Sequence, residues 1–277
     1  MFGFLLVMKA EMMRSFIIMR RYWFRTVIGL VMGYGMLMVL IAGFMYSKDS
    51  LTMDMNGDPD RATSFVLSFI IGVFAFGIIG MFTSGLQSMA GTGVLEQLCM
   101  SPHGLITNFL ARTTVAATST ILSSGVLVWL VTWSMGGTLY WDTIPVLTLL
   151  VLTFVNLLGF GFMVGGLVLV FKQVGQIAVM LRMALFGIAV FAREEIFEQG
   201  ALLATVLHAI PITDAAVCLK YVLVKGQGAV DGAPSSLFLH PSFYFLVLNC
   251  VVWTAVGIVC FKVMENYSRL KGTLGTY

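Results

Sequence analysis

The chain has 277 residues, 59% of them hydrophobic and only 10% charged. A soluble domain carries about 25% charged residues; this chain has too few to cover a water-facing surface, whereas a lipid-facing surface needs none. A net charge of +3 is too small to imply a nucleic-acid partner, and the composition reads as an all-α, polytopic membrane protein.

Residues 1–24 place apolar residues before charges, the reverse of a signal peptide, and read as a retained part of the protein. At helical spacing Glu11, Arg14, Arg21 and Arg25 share one sector of about 80°, opposite Phe2, Leu5, Met12, Met13 and Phe16. Lys9 and Arg20 depart from the pattern. The segment is expected to lie as an interfacial helix on the membrane, the alternative being a charged leader to the first span.

Six stretches are long and apolar enough to cross a bilayer: about 26–46, 63–86, 108–133, 144–170, 177–197 and 242–263. Arg112 and Arg182 fall near span ends, where a long side chain can snorkel to the headgroups. Arg193-Glu194-Glu195 cuts the fifth stretch short. All six prolines fall in loops or at span starts, Pro145 and Pro241 in the first turn, where the missing N–H costs nothing. Gly29-x-x-x-Gly33 and Gly161-x-x-x-Gly165 have the spacing that lets helices approach closely.

With the N-terminus inside, eleven of the 16 basic residues face the cytoplasm, five of them before residue 26, and ten of the 13 acids lie outside. By the positive-inside rule the protein is multi-pass in the inner (cytoplasmic) membrane, with both termini cytoplasmic.

Residues 198–241 are too apolar for a free loop, yet Ala201 to Ile210 is too short to cross. Short outer helices that re-enter the membrane are expected, Pro211 opening the second and Gly226-Gln227-Gly228 ending it.

Sites of known chemistry are missing from the sequence. It has no phosphate-binding P-loop, no H-E-x-x-H and no G-x-S-x-G. The four cysteines form no C-x-x-C pair, and the three histidines have no partner at i+4, so no metal site is expected. Asn156 and Asn249 are the strongly polar residues deep in a span, and each reads more naturally as a helix–helix hydrogen bond than as a substrate ligand.

The connection after the second span is the informative one. It runs Gly91-Thr92-Gly93-Val94-Leu95-Glu96-Gln97-Leu98-Cys99-Met100-Ser101-Pro102, with Val94, Leu95 and Leu98 at helical spacing and Ser101-Pro102 as a stop. A short amphipathic helix with an apolar face is expected, lying on lipid or covered by a partner.

This run resembles the loop after the second span in type-2 ATP-binding-cassette (ABC) exporter permeases, with Gly93 as one extra residue. Ile210-Pro211-Ile212-Thr213-Asp214-Ala215 is similar to that family's Pro-Leu-Thr-like segment between the fifth and sixth spans, with Lys220 near the usual basic position. The layout of a basic N-terminal helix, six spans and short outer helices matches as well. After the fifth span, where members often carry Ser-Gly and a Pro-rich stretch, this chain has Phe191-Ala192-Arg193-Glu194-Glu195-Ile196-Phe197-Glu198.

The resemblance implies a transport subunit, not an enzyme, that moves an amphiphilic, lipid-linked or drug-like substrate outward. ATP and Mg would be held by a separate ABC ATPase subunit, with no cofactor in this chain. A second permease, identical or closely related, would complete the pathway. Gly91, Thr92, Gly93, Leu95, Glu96, Leu98, Ser101 and Pro102 would form the ATPase-coupling helix, with Leu95 and Leu98 filling a groove on the partner. Lys172 and Gln173 would make a second cytoplasmic contact, and Arg193, Glu194, Glu195, Glu198, Pro211 and Thr213 would belong to the outer re-entrant gate. The alternatives are a membrane scaffold or assembly subunit and a membrane-embedded lipid-modifying enzyme, the only acid cluster for the latter being Glu194, Glu195 and Glu198.

Overall fold

The computed structural model describes residues 2–46, 59–102, 104–136, 142–171, 175–192, 197, 201–224 and 236–271. Among these, regular structure is helical throughout. Helix α1 (Phe2–Arg21) is separated from α2 (Trp23–Tyr46) by Tyr22 alone. The backbone ladder runs on through the junction, Tyr22 N donating to Ile18 O at 2.9 Å and Thr26 N to Tyr22 O at 3.3 Å.

Helix α3 (Pro59–Gly80) continues through a single π-helical turn, Met81–Gly85, into α4 (Leu86–Gly91), making one apolar rod that reaches well past the expected end at residue 86. After α5 (Val94–Met100) come α6 (Gly104–Met135), α7 (Thr143–Val170) and α8 (Gly175–Phe191). Two short helices, α9 (Ala201–Ala209) and α10 (Thr213–Leu223), meet at a bend of 87°. A 3-10 turn at Ser236–Leu239 leads into α11 (Pro241–Leu270), where Pro241 takes the first helical position.

Among the described residues five helices are long and apolar enough to cross a membrane, with a sixth crossing if the bent α9–α10 pair is counted as one. This is the architecture of an all-α polytopic membrane protein. The fifth predicted span is shorter than its expected 177–197. Helix α8 has 17 residues, and at 1.5 Å per residue it covers about 26 Å against about 30 Å of hydrocarbon.

The α3 rod and α7 form the inside of the bundle. In their most apolar windows 67% and 56% of residues are buried, against 11–17% for α2, α6 and α11. Those peripheral helices turn large apolar side chains outward, among them Trp129, Trp133, Val251 and Val259. Such a surface is compatible with lipid and not with water.

Glycine decides the central packing. Helices α7 and α11 run parallel, and a Cβ on Gly257 would collide with Gly159 O, while one on Gly159 would lie 2.6 Å from Thr254 N. Gly161 makes room for the Phe82 ring, which a Cβ would meet at 2.5 Å, and Phe82 packs on Phe109 and Phe162 at 5.0 and 4.9 Å between centroids. Among the described residues the Gly29/Gly33 spacing serves no close approach. Nothing lies within 4 Å of a Cβ at Gly29, and Gly33 meets Leu127 only at an ordinary 3.5 Å.

Candidate functional site

Two regions carry the chemistry the sequence points to: the 91–102 connection and the bend between α9 and α10. The first is built by backbone geometry. Thr92 ends α4, its hydroxyl donating back to Ser88 O at 3.0 Å and Met89 O at 3.3 Å. Gly93 has φ +71°, a left-handed conformation that costs glycine nothing, and it turns the chain into α5. Ser101 is extended, as a residue before proline prefers, and Pro102 ends the helix. Asn108 Nδ2 then donates to Gly104 O at 2.8 Å and reaches Ser101 Oγ at 3.5 Å, tying the exit of the connection to the start of α6.

The orientation of α5 differs from the sequence expectation. Leu95 is 0% exposed and belongs to the chain's own core, and Leu98 packs partly against the same core. Neither presents an apolar face outward. A seven-residue helix has one inner and one outer side, and here the leucines take the inner one. The outer side carries Val94, Gln97 and Met100, the last 87% exposed. Arg269 Nη2 reaches Cys99 O at 3.5 Å and pairs with Glu265 Oε1 at 2.5 Å, which fastens the far end of α5 to α11. The side chain of Glu96 lies outside the described residues, as do Lys172, Gln173, Arg193, Glu194, Glu195, Glu198 and the Gly226–Gly228 breaker.

The second region is a break in a helix surrounded by apolar side chains. The last carbonyls of any helix lack intrahelical partners, and away from water each must find a donor. Here the donors come from the two glycine-packed helices. Asn249 Nδ2 of α11 donates to His208 O, Trp253 Nε1 of α11 to Ala209 O at 3.0 Å, and Asn156 Nδ2 of α7 to Pro211 O at 2.8 Å. The two asparagines therefore act as interhelical bonds, directed at the backbone of the break rather than at each other. Pro211 sits in the break itself, and α10 starts two residues later at Thr213.

Below the break His208 Nδ1 lies 2.7 Å from Asp214 Oδ1, and the carboxyl is fully buried. The imidazole is held flat between Phe197 and Phe245, with ring centroids at 4.2 and 4.1 Å. Asp214 Oδ2, Asn156 Oδ1 and Thr213 Oγ1 are buried without a partner. Thr213 also lines a cavity of about 190 Å³ whose other walls, including Ile188, Phe191, Phe197 and Leu207, are apolar. Lys220 Nζ of α10 donates to Ala192 O, a cation at the C-terminal end of α8 where the helix dipole favours one.

Of the predicted gate residues, Pro211 and Thr213 are brought together at this break. His208, Trp253 and the His208–Asp214 pair were not legible as site residues. The pair is six apart in sequence and meets only because the chain bends between its members. Among the described residues no group of three potential metal ligands gathers. No family model, curated relative or solved structure matches the chain.

Proposed function

We propose that this chain is the permease subunit of an ATP-driven ABC exporter, one half of a pathway completed by a second copy or a close relative. It would move an amphiphilic, lipid-linked or drug-like molecule out of the cytoplasm or inner leaflet. The observation that supports this reading best is α5: a short helix set off by Gly93 and Pro102 at the end of a buried rod, anchored inward by Leu95, with Val94, Gln97 and Met100 left outward. A separate ATPase chain docking on that outer side would push on a rigid extension of α3 and α4. Lys172 and Gln173 would supply a lesser contact beside it.

In this reading α8 is the fifth of six crossings, and α9 and α10 dip into the outer leaflet and return. Arms of nine and eleven residues, about 14 and 17 Å long, fit a re-entrant pair. An even number of crossings leaves both termini on one side, and the five basic residues before residue 26 assign that side to the cytoplasm. Helix α1 would then lie along the inner leaflet, with Leu5, Met12 and Phe16 in the acyl region and each basic residue adding about 1 kcal/mol of attraction to anionic lipid.

The test is affinity purification of the full chain in mild detergent, with ATP hydrolysis measured on what co-purifies. An ATPase subunit should be retained by the wild type and lost from the Val94→Asp, Met100→Asp double variant, whose fold is unchanged because both positions are exposed. Absence of any ATPase from the wild-type complex, or its full retention by the double variant, refutes the assignment.

A further inference from the structure

Helix α8 carries a cation whose surroundings are unusual for an apolar helix. Arg182 lies at the middle of α8, and α8 runs antiparallel to α3, as the pairs Gly72–Phe186 and Gly80–Arg182 show. The Arg182 side chain lies across Gly80, where a Cβ would sit 3.3 Å from Cζ, and reaches the π-helical turn of the rod. Its Nη1 donates to Ser84 Oγ at 3.0 Å and approaches Thr83 Oγ1 at 3.4 Å. The guanidinium plane rests over the Phe76 ring, 3.9 Å from the centroid.

No carboxylate pairs with this arginine among the described residues. That is costly: a charged side chain within a membrane helix is rare, and it normally faces a partner of opposite sign or a polar path. A guanidinium has five N–H donors in a planar fork suited to two oxygens of a phosphate or carboxylate. Here the hydroxyls engage Nη1, Nε is buried without an acceptor, and Nη2 has no protein acceptor among the described residues. Ser84 is exposed, and its hydroxyl has a donor to offer a ligand beside the guanidinium. Both hydroxyls belong to the π-helical turn Met81–Gly85; such single turns recur at functional sites. The arginine also leans from Gly80 toward Ser84, about one helical turn nearer the end of the bundle where α4 finishes and α8 begins, which is the direction of the headgroups.

We infer that Arg182 and Ser84 form a phosphate-binding site opening from the side of the bundle, with Thr83, whose own hydroxyl donates back to Ile79 O at 3.1 Å, holding the guanidinium as an acceptor; the site suits the phosphodiester of an anionic membrane lipid or the phosphate of a phosphorylated solute. The site belongs to the α3–α8 seam and is independent of α5 and of any ATPase.

The experiment uses the delipidated full chain in detergent, titrated separately with short-chain phosphatidylglycerol, short-chain phosphatidylcholine and inorganic phosphate, with bound adducts counted by native mass spectrometry. Wild type should bind phosphatidylglycerol about tenfold more tightly than Arg182→Gln does, with Arg182→Lys in between because an ammonium keeps the charge and loses the fork. Ser84→Ala should weaken binding a few-fold, and it carries the test if Arg182→Gln does not fold, since the hydroxyl is exposed. Arg112→Gln, a basic residue on Met89 of the same rod, should bind as wild type. Phosphatidylglycerol binding that millimolar inorganic phosphate cannot displace identifies a lipid; displacement identifies a phosphorylated solute; both support the site. Equal binding by wild type, Arg182→Lys and Ser84→Ala, or an equal loss on Arg112→Gln, overturns it.

Discussion

The bend at 209–213 stands on three side-chain donors, and removing one should loosen it by a calculable amount. Asn156→Leu keeps the branching and heavy-atom count of asparagine, although its methyls are bulkier than the amide, and deletes the bond to Pro211 O, leaving that carbonyl without a donor in a fully buried setting. An unsatisfied buried carbonyl costs about 1–3 kcal/mol, while interhelical polar contacts in membranes average about 0.6 and reach about 1.7 kcal/mol because the alternative state also finds partners. The variant also removes Asn156 Oδ1, which is buried without a partner, and this offsets part of the loss. The net expectation is about 1 kcal/mol, or about 2–4 °C in melting temperature for a chain of this size.

Asn249→Leu should cost a similar amount through His208 O. The double variant should cost less than the sum by about 0.5 kcal/mol, because both bonds hold one break and the first loss already frees it. Thermal unfolding in detergent, followed by intrinsic fluorescence, measures all three. A strictly additive double variant, or an Asn156→Leu melting curve superposed on wild type, would mean the carbonyls find other donors and the asparagines do not hold the bend.

Two further expectations follow from packing. Leu95→Ala should destabilise the chain's own fold by about 2–5 kcal/mol, because the side chain is fully buried in its core, whereas Met100→Ala should leave folded yield and melting unchanged. Gly257→Leu should abolish the monodisperse folded peak on size-exclusion chromatography, since any Cβ there meets the Gly159 carbonyl, while Gly29→Leu should elute as wild type.

Much of the architecture is readable from the chain. Apolar runs bounded by proline and charge locate the long helices, their starts within about four residues and their ends within about seven, because a bilayer fixes both their length and their composition. The stretch after residue 198 was legible as short apolar helices broken near Pro211, and Asn156 and Asn249 as interhelical bonds, since a strongly polar group at that depth has few other uses. What stayed hidden is whatever depends on which neighbour a face meets. A seven-residue amphipathic helix offers its leucines equally to its own core and to a partner, so the inward turn of Leu95 has no sequence signal. Paired glycines mark a close approach without naming the helix that approaches: Gly161 receives Phe82, Gly159 receives α11, and Gly29 receives nothing among the described residues.

The π-helical turn has no signature at all, and its consequence is the one that joins the separate readings. It lets the α3 rod bury Phe82 against Gly161 on α7 while turning Thr83 and Ser84 to Arg182 on α8. A regular α-helix places consecutive residues about 100° apart, so a local change of pitch is the simplest way for one rod to serve both neighbours. Helix α8 is thereby held by polar contacts at its middle, where Arg182 meets the rod, and just past its last residue, where Ala192 O accepts from Lys220 of α10. Between them it packs through apolar side chains, Phe186 edge-on to Phe69 at 5.2 Å. Helix α8, too short to count among the five long apolar helices, therefore joins the two polar regions of the fold, with the rod that leads into α5 on one side and the bend on the other.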